Sequence, residues 1–444
     1  MNVKQFYDKG LAHASYAIDS EGEMAIVDPG RDPQPYLDHA TERGAKIVAI
    51  IETHPHADFV SSHLELHQRT GGTIYASKLV GAGYPHQGFD DGDTLSLGAV
   101  ALRSINTPGH SPDSISIVLS DESGKDHAVF TGDTLFIGDV GRPDLRENVG
   151  NMTAKREELA RAMYKSTREK LMVLDPEVLV YPAHGAGSLC GKNLSSDTVS
   201  TIGRELKTNY ALQEMSEDEF VAVLLEGQPF IPKYFGFDVD LNKVGAPLLQ
   251  PALETVPRIS SEATLESGVL VIDTRPAADF NAGHLPGAIN LMDGGKFETW
   301  LGSIIGPSEK FYLLAKDEAT LETLIEKTAK IGYEGSIQGA LVAPGGLPAT
   351  SEGVPLDAFK DNPDAYTIID IRNVGEYAQR AIFAQAINIP LPELRERVGE
   401  IPTEKPIVVH CAGGYRSAAG ASIVFNGLEN PPAVYDLSVA ISEF

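Results

Sequence analysis

The segment Thr53-His54-Pro55-His56-Ala57-Asp58 follows directly on an apolar run that begins at Lys46. Two histidines at i and i+2, with an aspartate two residues further on, suit a tight loop converging on a cation. Imidazole nitrogen and carboxylate oxygen are ligand types that divalent transition metals take. Three later segments have the same form: Thr107-Pro108-Gly109-His110, Thr131-Gly132-Asp133 and Pro182-Ala183-His184-Gly185. Each puts a ligand-type residue at the end of an apolar run or in a Gly/Pro turn. A lone histidine is as readily a hydrogen-bonded structural residue. Histidines and aspartates gathered in four such loops instead mark a metal site.

A second constellation lies near the end of the chain. Residues 407–417 read Ile-Val-Val-His-Cys-Ala-Gly-Gly-Tyr-Arg-Ser. An apolar strand delivers Cys411 into the loop Ala412-Gly413-Gly414-Tyr415, and a helix-like stretch begins with Ser417-Ala418-Ala419-Gly420. Backbone N–H groups at a helix N-terminus stabilise a thiolate or a bound sulfur anion. Gly413 and Gly414 allow the backbone to curl around that anion, and Arg416 adds a fixed positive charge. These features make Cys411 and Arg416 candidate catalytic residues for sulfur chemistry.

The set HPHAD, PGH, TGD and PAHG resembles the metallo-β-lactamase superfamily, over residues 1 to about 240. That resemblance implies an αββα sandwich with a metal at one edge of two sheets. One departure bears on the reaction. Two-metal members carry a histidine directly after the motif's aspartate, and this chain has Phe59 there, so a second site lacks a ligand. The persulfide dioxygenases of the superfamily hold one Fe(II). Their pattern, carried onto this sequence, implies His54, His110 and Asp133 as its ligands, the two-histidine, one-carboxylate set of oxygen-using ferrous enzymes. His56, Asp58 and His184 would then support the ligands or face the substrate. The stretch Phe136 to Asp144 also resembles the dioxygenases' loop. There Arg142 either clamps a carboxylate of the substrate's thiol carrier or orders its own loop through Asp144.

The cysteine loop resembles the rhodanese active loop, and related loops occur in dual-specificity phosphatases. An internal repeat supports the rhodanese likeness. Residues 269–291 align with 366–390: Asp273 with Asp370, Arg275 with Arg372, Asp279 with Glu376, Phe280 with Tyr377, and Asn290 with Asn388 after one inserted residue. In the first copy Ala315 stands where Cys411 stands in the second. Residues 258–350 are therefore expected to be a degenerate rhodanese-like domain without sulfur chemistry, and residues 355–444 the catalytic one. The second copy lacks the GHLPG turn found at 283–287. Cys190, six residues past His184, is expected near the metal mouth. The whole arrangement is similar to bacterial persulfide dioxygenase–sulfurtransferase fusions, in which a cysteine of this loop handles persulfide.

The elements that must position these groups can be read from apolar periodicity. AIVDP (25–29), KIVAIIETH (46–54), GTIYAS (72–77), HAVFTGD (127–133) and EVLVYPAHG (177–185) read as buried strands running into polar loops. Strands that deliver polar residues at their carboxyl ends are how α/β sheets build sites. Residues 153–173 and 195–230 read as helical. Residues 241–257, in a stretch rich in Gly and Pro with little periodicity, read as a linker. KFYLLA (310–315) and KPIVVHC (405–411) read as the second strand of each repeat. The expected class is α/β multidomain: an αββα sandwich over residues 1–240, then two rhodanese-like α/β domains.

Composition bounds the rest. The 444 residues exceed one hydrophobic core. A formal charge of −26 repels nucleic acid and anionic lipid, so neither nucleic acid nor membrane is an expected partner. The first ten residues have no apolar stretch of a secretory signal, and no apolar run is long enough to span a bilayer. Two cysteines do not make a disulfide framework, which fits a reducing cytoplasm. The resemblance implies a low-molecular-weight thiol persulfide (of glutathione, coenzyme A or bacillithiol type), O2 and sulfite as partners, in sulfide detoxification. A homo-oligomer is expected of three linked domains with an acidic surface. Two other readings share parts of this pattern: a glyoxalase-II-like zinc thioester hydrolase, and a sulfur-sensing or scaffold protein. Phe59 argues against the first, and the intact ligand set and Cys411 loop argue against the second.

Overall fold

Neighbouring residues of the strand Glu23–Val27 point in opposite directions, and both directions are apolar. Ala25 and Val27 join one core with Tyr16, Ala49 and Ile51, while Met24 and Ile26 join another with Ala17, Ile47 and Ile50. A strand buried on both faces needs a sheet on one side and helices on the other. The first core is closed by Leu102, Ile117, Leu119 and Phe130 of a second sheet. The second core is closed by Tyr36 and Ala40 of the helix Gln34–Arg43 and Leu66 of the helix His63–Thr70. The far face of the second sheet carries Val118, Val129 and Val180 against Met163 and Phe220 of the helices Arg156–Lys165 and Glu217–Leu225. The result is the expected αββα sandwich.

In this computed structural model, which describes residues 1–145 and 155–444, each of the two sheets has six strands. The first runs in spatial order Asn2–Asp8, His13–Ser20, Glu23–Val27, Lys46–Ile51, Thr73–Ala76, Gln87–Gly88. The second runs Ser200–Thr201, Leu179–Pro182, Asp126–Gly132, Ile115–Ser120, Val100–Asn106, Thr94–Leu97. The chain divides into two units: Met1–Pro251 with Lys330–Gly332, and Ala252–Ala329 with Tyr333–Phe444.

The second unit contains both repeat copies, each with a four-stranded parallel sheet. The repeated residues form the same lock twice. Arg275 grips the Asp273 carboxylate through Nε (3.0 Å) and Nη2 (2.6 Å), and Arg372 grips Asp370 through Nε (2.9 Å) and Nη2 (2.5 Å). Asn290 donates to the carbonyls of Asp273 and Arg275, and Asn388 to those of Asp370 and Arg372. Each arginine also donates to one turn carbonyl, Gly283 in the first copy and Arg380 in the second. Loss of the GHLPG sequence in the second copy therefore leaves the lock whole, because the bond uses a backbone carbonyl that any residue supplies.

The structure gives detail to three expectations. The stretch 241–257, expected as a linker, is partly helical: it contains the end of the helix Phe235–Val244 and the whole helix Leu249–Glu254. Its apolar periodicity is weak because Asp238 and Asn242 are buried on the packed face. Residues 195–230 are broken into Ile202–Thr208, a short turn Tyr210–Leu212 and Glu217–Leu225. The helix expected over 153–173 runs Arg156–Lys165 and then widens to a π-helix over Ser166–Leu171; residues 153 and 154 lie outside the described residues. Among the described residues no helix is long and apolar enough to cross a membrane.

The lock generates a stability prediction. Asp273 is fully buried, and removing its partner strands a charge away from water. Arg275→Ala should destabilise the second unit by about 3–5 kcal/mol. Trp300, the chain's single tryptophan, lies within that unit and reports its unfolding. Urea titration followed by tryptophan fluorescence should show an earlier midpoint; an unchanged midpoint refutes the role of the lock.

Candidate functional site

The loop after the strand Lys46–Ile51 is held from below by Asp28. Its carboxylate accepts from Thr53 N (2.7 Å) and Thr53 Oγ1 (2.9 Å), and lies 3.3 Å from His56 Nε2. From the side it is held by Asn242, whose Nδ2 donates to the carbonyls of His56 (2.9 Å) and Phe59 (2.8 Å) and whose Oδ1 accepts from Ser61 N. The Thr131-Gly132-Asp133 turn approaches this loop closely. Gly132 has a φ of +51°, and a Cβ there would come within 2.5 Å of Thr53 Oγ1. Only glycine lets Asp133 stand beside His54.

Asp133 is the centre of the cluster. Its Oδ1 accepts from His184 Nδ1 at 2.8 Å. Its Oδ2 is buried, has no hydrogen-bond partner, and faces His54 Nε2 at 3.8 Å and His110 Nε2 at 3.5 Å. A buried carboxylate oxygen without a hydrogen bond, facing two imidazole nitrogens, is a cradle that a cation fits. His110 is oriented by its Nδ1, which bonds the carbonyl of Arg142 at 2.9 Å. Beyond Asp133, His184 Nε2 reaches Asp58 Oδ2 at 2.8 Å. Three groups bring ligand-type atoms within 4.8 Å of one another: His54, His110, Asp133; His56, Asp133, His184; and Asp58, His184, Cys190.

The electrostatics follow from this crowding. Burial works against the Asp133 charge, but His184 and His110 outweigh it and hold the carboxyl well below its ordinary range. Burial favours neutral His184, yet Asp133 and Asp58 outweigh that and push its pKa well above the imidazole range. The Cys190 thiol is driven far up, first by burial and then by the charges of Asp58 and Asp133.

Phe59 fills the space next to the motif, its ring centroid 4.4 Å from that of His56 and 3.8 Å from that of His13. His13 is a buried residue that the sequence reading missed: a single histidine in a strand carries no signal. Asp28 and Asn242 were missed for the same reason. Arg142 makes the contacts that the loop-ordering reading expects: its Nε and Nη2 both meet Asp144 at 2.7 Å, and its Nη1 donates to the carbonyls of Leu189 and Phe230. Its backbone N–H also bonds the Cys190 carbonyl.

The cysteine loop stands in the other unit. The strand Ile407–His410 ends at Cys411 and the helix Tyr415–Gly427 follows. Gly414 N donates to Cys411 Sγ at 3.1 Å. Of the two loop glycines, Gly414 takes a left-handed φ of +92°, where a Cβ would strike Ser438; Gly413 needs no such freedom. Arg416 forms a two-pronged pair with Glu376, both distances 2.7 Å. Glu376 had been seen only as a repeat position. Its partner is set by the fold, because the helix Val374–Gln379 delivers it across the loop.

Residues 8–184 match the metallo-beta-lactamase superfamily, and residues 261–339 and 356–442 match the rhodanese-like domain. A probable metallo-hydrolase of Burkholderia pseudomallei (strain 1710b) is 30% identical over 261 residues, covering 50% of this chain and 85% of the relative. The mitochondrial persulfide dioxygenase of Homo sapiens is 31% identical over 213 residues, covering 48% of this chain and 74% of the relative. A crystal structure of a metallo-beta-lactamase from Staphylococcus aureus subsp. aureus COL superposes with a TM-score of 0.69 at 32% identity, covering 78% of this chain and 99% of that one. With the His/Asp cluster at the strand ends of an αββα sandwich and the Asp–Arg–Asn lock in both repeats, the chain belongs to the metallo-beta-lactamase superfamily, and its metal-binding domain is followed by two rhodanese-like domains.

Proposed function

We propose that this enzyme is an iron-dependent persulfide dioxygenase coupled to a thiosulfate-forming sulfurtransferase, acting in sulfide detoxification in the cytoplasm. The observation that carries the reading is the Asp133 carboxylate oxygen facing His54 and His110, with Phe59 in place of a further ligand. Two imidazoles and one carboxylate fit a single Fe(II). When bound, Fe(II) supplies adjacent open positions and the redox chemistry that O2 requires. The net change is a thiol persulfide plus O2 and water giving the thiol, sulfite and two protons.

The chain's own residues prepare this chemistry. The Arg142 carbonyl fixes the His110 ring, so its Nε2 faces Asp133. His184, bonded to Asp133 and Asp58, fixes the carboxylate and can hold a proton beside the cluster. Phe59 keeps the second position apolar. In the rhodanese half, Cys411 accepts sulfane sulfur in the loop closed by Gly414 N–H, with Arg416 set by Glu376. Sulfite then attacks the outer sulfur of the Cys411 persulfide, giving thiosulfate and restoring the thiolate. Joining the two sites in one chain keeps sulfite at high effective concentration. Glutathione, coenzyme A and bacillithiol are the candidate carriers.

One observation favours a second reading. Asp58, His184 and Cys190 form a further ligand-type group, which suits a two-metal zinc thioester hydrolase. Metal analysis separates the two. The dioxygenase reading expects one iron per chain and O2 uptake on addition of glutathione persulfide; two zinc ions per chain with thioester hydrolysis and no O2 uptake would establish the hydrolase instead.

His110→Ala should lower iron content to near zero and abolish O2 uptake, since two remaining ligands hold Fe(II) poorly. It should leave sulfur transfer at Cys411 intact. Full iron occupancy with normal turnover contradicts the ligand assignment.

Cys411→Ser should preserve persulfide-dependent O2 uptake but move the product from thiosulfate towards free sulfite. A serine hydroxyl stays protonated near neutral pH and cannot carry a persulfide. Chromatography of both anions after O2 consumption decides it. Thiosulfate at the wild-type ratio transfers the role to Cys190.

A further inference from the structure

The strands Ile407–His410 and Val434–Asp436 lie side by side and run parallel, with Val409 opposite Asp436. The first runs into Cys411, and the second ends on Asp436. The Leu437 N–H bonds the Val409 carbonyl at 3.0 Å, so the two segments leave the sheet together.

Past Asp436 the chain makes a turn that its sequence does not favour. Ser438 has a φ of +50°. Glycine takes this left-handed conformation freely, whereas a residue with a Cβ keeps it only where the surroundings impose it. Here Asp436 imposes it. Its Oδ1 accepts from the Ser438 N–H at 2.8 Å, the bond by which an aspartate closes a turn on the residue two further on. Burial pushes the Asp436 carboxyl up to about 6, against the hydrogen bonds from Ser417 and Ser438. At neutral pH it is therefore a carboxylate and a full acceptor.

What this turn packs on is the cysteine loop. A Cβ on Gly414 would come within 2.8 Å of the Ser438 carbonyl carbon and of the Val439 nitrogen. Gly414 is the residue whose N–H donates to Cys411 Sγ at 3.1 Å. Ser417, buried on the helix Tyr415–Gly427, completes the frame. Its Oγ lies 3.1 Å from the Gly414 carbonyl oxygen and bonds Asp436 as well. Asp436 thus holds the turn on one side of Gly414 and the helix start on the other.

We propose that Asp436 is a positioning residue for the Cys411 site. Its carboxylate holds Ser438 in the left-handed turn, the turn holds Gly414, and Gly414 keeps its N–H on the Cys411 sulfur. This rests on the reading of Cys411 as a sulfur acceptor, and adds the strut that sets its loop.

The test uses the full chain, with inorganic thiosulfate as sulfur donor and cyanide as acceptor. Asp436→Ala should lower kcat about tenfold and change KM for thiosulfate less than about twofold, the size of one hydrogen bond to a charged group. The pH profile of Cys411 alkylation by iodoacetamide, read on its tryptic peptide by mass spectrometry, should move about one unit to higher pH, because a thiolate that loses an N–H donor forms less readily. An aspartate acting through its charge alone gives the opposite sign, since removing a negative charge favours the thiolate. Asp436→Asn keeps an acceptor for Ser438 and should hold kcat within about twofold of the wild type. Adding Ser438→Gly to Asp436→Ala should recover most of the lost rate, because glycine takes the turn unaided.

A wild-type rate and profile in Asp436→Ala, a profile that moves to lower pH, or no recovery with Ser438→Gly overturns the proposal. Ser438→Val keeps Asp436 but makes the left-handed backbone costlier, so it should shift rate and profile in the same direction as Asp436→Ala. Should Asp436→Ala fail to fold, an unchanged Ser438→Val protein overturns the proposal by itself. Absence of sulfur transfer by the wild-type chain refutes the transferase reading instead. The alkylation profile needs no turnover, and in that case it still decides the strut.

Discussion

Asp133 is a carboxylate withdrawn from water, with one oxygen held by His184 and the other turned towards His54 and His110. A buried charge is tolerated only when positive or hydrogen-bonding partners surround it. That requirement organises the first unit. His184 is drawn into a bridge between Asp133 and Asp58, and its raised pKa is the same fact seen from the imidazole. The cradle beside Asp133 has the buried, unpartnered carboxylate oxygen that a cation would meet. Phe59 packs beside this cluster, against His13 and His56.

Such a cluster cannot be held by its loops alone. The strand ends are fixed because their residues are buried on both faces, and each loop is then tied to something outside itself. Asp28 grips Thr53, Asn242 grips the carbonyls of His56 and Phe59, and the Arg142 carbonyl orients His110. Arg142 in turn spends its guanidinium on Asp144, Leu189 and Phe230. These supports all act through backbone carbonyls or fully enclosed side chains, so they leave the ligand faces open towards the cradle.

The second unit separates architecture from chemistry. Both copies keep the Asp–Arg–Asn lock, because it satisfies the same buried carboxylate and the same strand-end carbonyls in each. Only the second copy has a cysteine at this strand end, Cys411, where the first has Ala315. Ala315 costs the first copy nothing in packing, since it is a fully buried small residue at a strand end.

Sequence by itself determined the elements whose signal is local: the apolar runs that become strands, the four His/Asp loops, the cysteine loop and the repeat. Each is a short pattern in which a strand ends and a special residue follows, and the structure brings His54, His110, Asp133, His56, Asp58 and His184 together as those patterns imply. Tertiary structure alone decided the partners. The helix Phe235–Val244 reads as a featureless stretch because its buried face mixes Asp238 and Asn242 with Phe235 and Val239, yet its Asn242 holds the His/Asp loop. His13 packs on Phe59, Cys190 comes up against Asp58 and His184, Arg142 turns to Asp144, and Trp300 of one repeat meets Arg416 of the other. None of these pairings is periodic or adjacent in the chain. They arise when distant segments are packed, and only the packed chain settles which buried polar group meets which.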